Sequence, residues 1–312
     1  MANPLALLAS SGNEQIDQIT SGLISVMETH FPKRIRGYYF EGSCADGAVT
    51  PLSDIDLRVV FIDQQTAGEQ QHFTTLQSAC KLISPRNLDL NSIGETILIH
   101  ADSLQFQPDW RPVLGAITLK CASVPVFGAD IRDQIPFVPH DVYTRTLMHF
   151  PFLVLAGQRK HPAQLPYPLE YLDPADEFFG YTGRRSHAPD GTMTPSTKRI
   201  VHASGFIATA LLALQTPIFV ADKRTAVTAY RHFINDEWAD HLDAIHHYCR
   251  LQWGYHVPEA AADRTRLRQL CQRELVFENY FLAIYKDYLL HEQYADDEIA
   301  RQFAQERLQK IG

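Results

Sequence analysis

Asp54 and Asp56 stand two residues apart at the head of the apolar run Ile55-Asp56-Leu57-Arg58-Val59-Val60-Phe61-Ile62, and that spacing limits the fold more than any other feature of the chain. Side chains on a strand alternate, so residues i and i+2 share a face. The segment over 55–62 therefore reads as a strand with Ile55 and Leu57 turned to a core and the carboxylates turned away from it. Two carboxylates on one face repel each other unless a cation lies between them. A divalent ion resolves that conflict, and magnesium accepts one or two carboxylates together with phosphate oxygens.

The stretch just upstream supplies what such a site lacks. An aromatic, strand-like run over 35–41 ends at Gly42-Ser43. Glycine permits a sharp turn and close approach of backbone to phosphate. Ser43 offers a hydroxyl and a backbone N–H, and a short helix starting there would add its positive end. Residues 46–52, with Asp46-Gly47 and Pro51, read as a loop, and Ser53 is a further donor on the phosphate side. Gly-Ser and Asp-x-Asp are each commonplace. In this order, with a strand before and a strand after, they point to a metal-bound triphosphate.

Around this core the hydrophobic spacing predicts helices over 14–30 and 66–83, short strands over 87–91 and 96–99, and a turn at 127–130 leading into a capped helix. From about 140 the pattern is helical, with helices near 197–214, 222–234, 236–253, 263–275 and 277–293. Residues 161–196 interrupt it with six prolines and three glycines and read as one long irregular loop, a kind of segment that is often functional. A chain of 312 residues, 45% hydrophobic, can bury two cores. The expected organisation is an α/β domain over 1–138, a small mixed sheet with flanking helices, followed by an all-helical domain over 139–312.

Charge and composition narrow the partners. The net charge is −8, and residues 1–138 carry 9 Lys+Arg against 15 Asp+Glu. An acidic chain is a poor match for long nucleic acids and a better one for bound cations. Five scattered cysteines without a CxxC pair suit a reducing compartment, so the cytoplasm is expected. No HExxH occurs among the fourteen histidines. The uncharged stretch from Ala203 to Ala221 approaches the length of a membrane span, but Gln215-Thr216-Pro217 interrupts it, so it reads as a buried helix of about 15 residues and no membrane partner is expected.

The segment EGSCADGAVTPLSDIDLRVVF resembles the signature of the polymerase-β-like nucleotidyltransferase superfamily, and within it the aminoglycoside adenylyltransferases that act on streptomycin and spectinomycin. That resemblance implies a third carboxylate on a neighbouring strand. Asp89, between Leu88 and Leu90, is the first choice, and Glu95, next to Gly94, is the runner-up. It also implies two Mg²⁺ ions, one on Asp54 and Asp56 and one shared with Asp89, with ATP or another nucleoside triphosphate as donor. In the resembling enzymes a helical domain closes the cleft, and a lysine and a tyrosine in it touch the nucleotide. Lys223 and Tyr248 match by position. Lys198 competes as a triphosphate ligand, since a basic pair Lys198-Arg199 behind the N-cap candidate Ser196 would be explained by a bound anion. Arg184-Arg185 is a weaker pair of the same kind.

The expected activity is transfer of a nucleoside monophosphate to a hydroxyl of a small acceptor, an aminoglycoside-like cation being one candidate. Two rivals stay open: transfer to protein or tRNA, and a binding or scaffold protein without activity. The intact Gly-Ser and Asp-x-Asp argue against the last.

Overall fold

The computed structural model describes residues 5–159, 164–188 and 190–312. The chain divides into two compact units. One comprises Met1–Leu104, Arg111–Val138 and Ser186–Met193, the other Gln105–Trp110, Pro139–Arg185 and Thr194–Gly312.

The first unit contains α1 (Glu14–His30), β1 (Ile35–Phe40), α2 (Gly42–Ala45), β2 (Ile55–Phe61), α3 (Ala67–Ile83), β3 (Leu88–Gly94), α4 (Glu95–Ile99), α5 (Arg111–Ala122) and β4 (Val124–Gly128). Its mixed four-stranded sheet has the order β3-β2-β1-β4. β1 runs antiparallel to both β2 and β4, whereas β2 and β3 are parallel, joined by a crossover through α3. Helix α1 starts where the Asn13 side chain accepts the Ile16 N–H. Helix α3 starts on a full capping box, Thr66 with Glu69. Ile16, Leu23, Ile24 and Met27 of α1 and Phe73 and Cys80 of α3 share one core with Tyr38, Phe40, Ile55, Leu57, Val59, Phe61, Leu88 and Leu90 of the sheet. Burying each large apolar side chain there contributes about 1.5–3 kcal/mol. Because β2 alternates, the same packing that buries Ile55 and Leu57 turns Asp56 and Arg58 to the other face, where both are half-buried.

The second unit contains α6 (His140–Gln158), most of a two-stranded sheet of β5 (Arg184–His187) and β6 (Met193–Ser196), then α7 (Lys198–Gln215), α8 (Lys223–Phe233), α9 (Ala239–Ile245), a π-helical turn (His246–Gln252), α10 (Ala261–Glu292) and α11 (Glu298–Leu308). Its core gathers Phe152 of α6, Ile207 and Leu211 of α7, Tyr230 of α8 and Phe277, Phe281 and Tyr285 of α10. Helix α7 is apolar nearly all round because it is buried nearly all round. No helix among the described residues is long and apolar enough to cross a membrane.

Several sequence expectations are corrected. Residues 96–99 are helical, not a strand. Gly94 ends β3, and α4 starts at once with Glu95 anchored to Arg36 at 2.9 Å, so local β propensity loses to tertiary anchoring. The turn at 127–130 leads to a short 3₁₀ segment at Arg132–Gln134, and the helix waits until His140. The helix expected over 236–253 is α9 followed by the π-helical turn, and those expected over 263–275 and 277–293 are one helix of 32 residues. The segment 161–196 is not wholly irregular, since it ends in the β5–β6 hairpin, and the second part of the chain is therefore not all-helical. Residues 161–163 and 189 of that segment lie outside the described residues.

Candidate functional site

Each sequence-expected residue of the first unit owes its place to the ends of β1, β2 and β3. β1 stops at Phe40, and the chain turns at Gly42, whose φ of +57° lies in the left-handed region that favours glycine. A Cβ on Gly42 would run into the Asp56 carboxylate, so this glycine and Asp56 are neighbours by necessity. Glu41 N–H donates to the Asp56 carbonyl at 2.9 Å, which fixes the turn against the start of β2. Ser43, 9% exposed, sits in the single helical turn α2. A helix of four residues carries little macrodipole, so the expected helix attraction shrinks to the N–H groups of one turn.

The loop that follows is pinned rather than loose. Asp46 accepts the Ala48 N–H at 2.9 Å. Arg86, just before β3, donates to the Pro51 carbonyl at 2.8 Å and to Gln15 at 2.9 Å. Ser53 is 2% exposed, and its hydroxyl oxygen accepts the Thr50 N–H at 2.8 Å. The structure thus gives Ser53 a task within the loop.

Asp56 and Asp89 are register partners on the parallel strands β2 and β3, so their side chains leave the same face of the sheet; Asp56 is half-buried and Asp89 exposed. Glu95 stands elsewhere. It follows Gly94, which pairs with Phe61 at the opposite end of β2, about 17 Å along the strand from Asp89. Its pairing with Arg36 gives it a structural role. Among the described residues, no three His, Cys, Asp or Glu side chains form a group that could hold a metal, so the expected cage of Asp54, Asp56 and Asp89 is not assembled. The donor chemistry fits a smaller set, since magnesium accepts two carboxylates when phosphate oxygens and water complete its shell.

Sequence reasoning missed a charge on this face. Arg58, two residues beyond Asp56, donates from Nε and Nη2 to the two Glu41 oxygens at 2.9 and 3.0 Å. Burial works against the guanidinium charge, but Glu41, with Asp89 and Asp56 behind it, more than offsets that and raises its pKa. The signal was available: positions 54, 56 and 58 are all charged while 55, 57 and 59 are all apolar. Nearby, burial and then the charge of Asp56 push the Cys44 thiol up to about 12, so it is not a nucleophile at neutral pH.

The second unit gathers basic groups. Lys198 opens α7 and is 2% exposed. Ser196 does not cap that helix. It ends β6 and donates its hydroxyl to the Arg184 carbonyl at 2.8 Å, and Thr197 stands at the cap position. Lys223 opens α8 behind the Asp222 cap, its stem packed against Gly205 and its ammonium 5.3 Å from the Phe206 ring centre. Both lysines bear on His202, one turn along α7 from Lys198, whose ring nitrogen Nδ1 is 3.1 Å from an Arg184 guanidinium nitrogen. Burial first, then the charges of Lys223, Arg184, Lys198 and Arg250, drive the His202 pKa far down. The imidazole is therefore neutral and accepts from Arg184 through Nδ1. Lys198, Lys223 and Arg184 are thus brought together, with His202 and Arg250 added to what the sequence suggested. Tyr248 lies apart in its contacts, stacked under the Arg266 guanidinium at 4.4 Å and against Trp253.

No family model and no curated protein matches this chain. Among solved structures it is similar to a spectinomycin adenyltransferase from Enterococcus faecialis, solved with ATP and spectinomycin, at 13% identity and a TM-score of 0.49, over 84% of this chain and 98% of that one. That likeness is distant.

Proposed function

We propose that this protein is a magnesium-dependent nucleotidyltransferase that moves a nucleoside monophosphate, AMP from ATP, to a hydroxyl of a small acceptor. The observation that carries the reading is the register of Asp56 with Asp89, beside a Gly42-Ser43 turn whose glycine is packed against the Asp56 carboxylate. Asp54 and Asp56 would hold the ion together with the nucleotide's phosphates. What the ion supplies when bound is neutralised phosphate charge and a more acidic acceptor hydroxyl. Gly42 and Ser43 bind phosphate oxygens through the tight turn. Asp89, exposed on the same face, takes the acceptor proton. The acceptor oxygen forms a bond to the α-phosphorus as the α–β bridging bond breaks, and the pyrophosphate leaves with that electron pair. The basic cluster of Lys198 and Lys223 favours them as further phosphate contacts, and Tyr248 is assigned to the nucleotide by its position in the sequence. A polyhydroxylated cation would suit the acidity of residues 1–138 as acceptor.

Labelled ATP, GTP, CTP and UTP, each incubated with aminoglycosides, with tRNA and with cell lysate, test the reading. Label from ATP on a small hydroxyl compound is expected. Asp54→Asn and Asp56→Asn should each lower that transfer by at least about 10²–10³-fold. Label only in macromolecules overturns the small acceptor, and no transfer from any nucleotide overturns the enzyme.

A further inference from the structure

Glu41 and Arg58 form a bidentate pair whose side chains are only 9% and 14% exposed. The pair is placed by the same backbone that places the proposed cation ligands. Arg58 follows Asp56 by two residues on β2, and Glu41 donates its N–H to the Asp56 carbonyl. Gly115 of α5 lies beside this face, where an added methyl group would stand 3.8 Å from an Arg58 guanidinium nitrogen, an ordinary contact distance. The face therefore carries the carboxylates of Glu41, Asp56 and Asp89 and one fixed positive charge among them. Without Arg58, Glu41 would add its own unmatched charge to those of Asp56 and Asp89. Such a cluster would trap free divalent cations whether or not a nucleotide was there.

We propose that Arg58 is a built-in counter-charge to Glu41 that weakens capture of a bare divalent cation, so that the ion is taken up together with a polyphosphate. The proposal rests on the reading of Asp54 and Asp56 as cation ligands. A polyphosphate supplies what the bare face lacks: the extra oxygen donors and the negative charge that Arg58 offsets. Glu41 and Arg58 are positioning residues here, since they act through Asp56 and Asp89 and hold neither the ion nor the substrate.

Mn²⁺ binding to the full chain, followed by the paramagnetic signal of the free ion, tests this with and without inorganic triphosphate. A unit charge within several ångströms of a half-exposed site shifts cation affinity by about 3- to 10-fold. Without triphosphate, Arg58→Met should tighten Mn²⁺ binding by that factor and Glu41→Gln should weaken it by that factor. The double variant should return to within about twofold of wild type, and Arg58→Lys should stay close to it. Triphosphate should enhance Mn²⁺ uptake less in Arg58→Met than in wild type. A merely structural pair gives a different pattern, with both single variants weakening binding in step with lost thermal stability, and that result overturns the proposal. If Arg58→Met does not fold, weakening in Glu41→Gln at unchanged melting temperature still supports it, and unchanged binding there overturns it. Asp56→Asn separates the two levels. If it abolishes Mn²⁺ binding while the Arg58 and Glu41 variants do nothing, the counter-charge alone is wrong. If Asp56→Asn binds Mn²⁺ like wild type, the cation reading fails and the counter-charge with it.

Discussion

Two pairs of carboxylates are brought together in this molecule by opposite means. In the sheet unit, Asp56 and Asp89 are register partners on parallel strands, one half-buried and one exposed. In the helical unit, Glu274 and Glu278 lie one turn apart on α10, and both are fully buried. There Arg159 is 2.5 Å from Glu278, Tyr181 donates to the same Glu278 oxygen at 3.0 Å, and His241 lies 2.9 Å from Glu274. Burial raises both glutamate pKa values, and the charge of Glu278 raises that of Glu274 further, with Arg159 opposing. The helical pair is thus quieted by a proton and a guanidinium and serves the core. The sheet pair stands on a face open to solvent, beside an arginine bound to Glu41. Two acidic residues close together do not make a site. What separates the two pairs here is exposure: a dissolved ion or substrate can reach the sheet pair and cannot reach the helical one.

Breaking the buried network should have the largest effect. Arg159→Met leaves Glu278 without its cation at zero exposure, and removing one partner of a buried pair costs about 3–5 kcal/mol. Urea denaturation at pH 7 measures it. A loss below about 1 kcal/mol would mean that Glu278 already carries its own proton, and the contrast between the two pairs would blur.

The sheet pair should be disturbed more by its turn than by its charges. In Gly42→Ala the methyl group strikes the Asp56 carboxylate, and the backbone must hold φ of +57° with a side chain. Together these should cost about 1–3 kcal/mol and displace Asp56. Melting temperature and nucleotide transfer should fall together. Full activity in this variant would show that the turn can move without the carboxylate.

This difference also explains what was legible in the sequence. The sheet site is written in period two: apolar 55, 57 and 59 against charged 54, 56 and 58, so its strand, its face and even Arg58 could be read locally. Asp89 was readable as a residue flanked by leucines, but its register with Asp56 depends on how the α3 crossover delivers β3. The buried network was invisible because Arg159, Tyr181, His241 and Glu274 lie on four separate segments that only packing unites. The helix at Glu95–Ile99 was misread for a related reason. Thr96-Ile97-Leu98-Ile99 has strand composition, and the anchor that overrules it, Arg36, is some sixty residues away.

A smaller effect should appear as a change of slope with pH. The Glu274 pKa is raised in the fold, so the folded chain keeps a proton that the unfolded chain releases above about pH 4.3. Stability from this group is complete below that pH and is lost as pH rises toward the folded value, at no more than about 1.4 kcal/mol per pH unit for one proton. Glu274→Gln, neutral at every pH, should therefore gain on wild type as pH rises. His241 acts in the opposite sense, because burial lowers its pKa to about 3 and stability from it grows between that pH and its ordinary range. Comparing the two proteins at each pH subtracts most of that opposing slope. Parallel unfolding curves from pH 4 to pH 8 would show that Glu274 titrates alike in both states.

The smallest stability effect should come from the residue with the largest effect on transfer. Asp56 is half-buried, and its backbone carbonyl accepts the Glu41 N–H, a bond that Asp56→Asn retains. The substitution preserves shape and removes one of several carboxylates from a single face, so repulsion falls as a little polarity is lost. A surface change of this kind shifts stability by about 0.5 kcal/mol or less. Catalysis by an outward-facing carboxylate and stability of the fold are then separable quantities, in contrast to the buried network, where charge and stability are the same quantity. Calorimetry of Asp56→Asn beside Arg159→Met decides the matter. A loss of about 2 kcal/mol or more in Asp56→Asn would place that side chain among the structural carboxylates with Glu278, and loss of transfer in the variant would then say nothing about chemistry at Asp56.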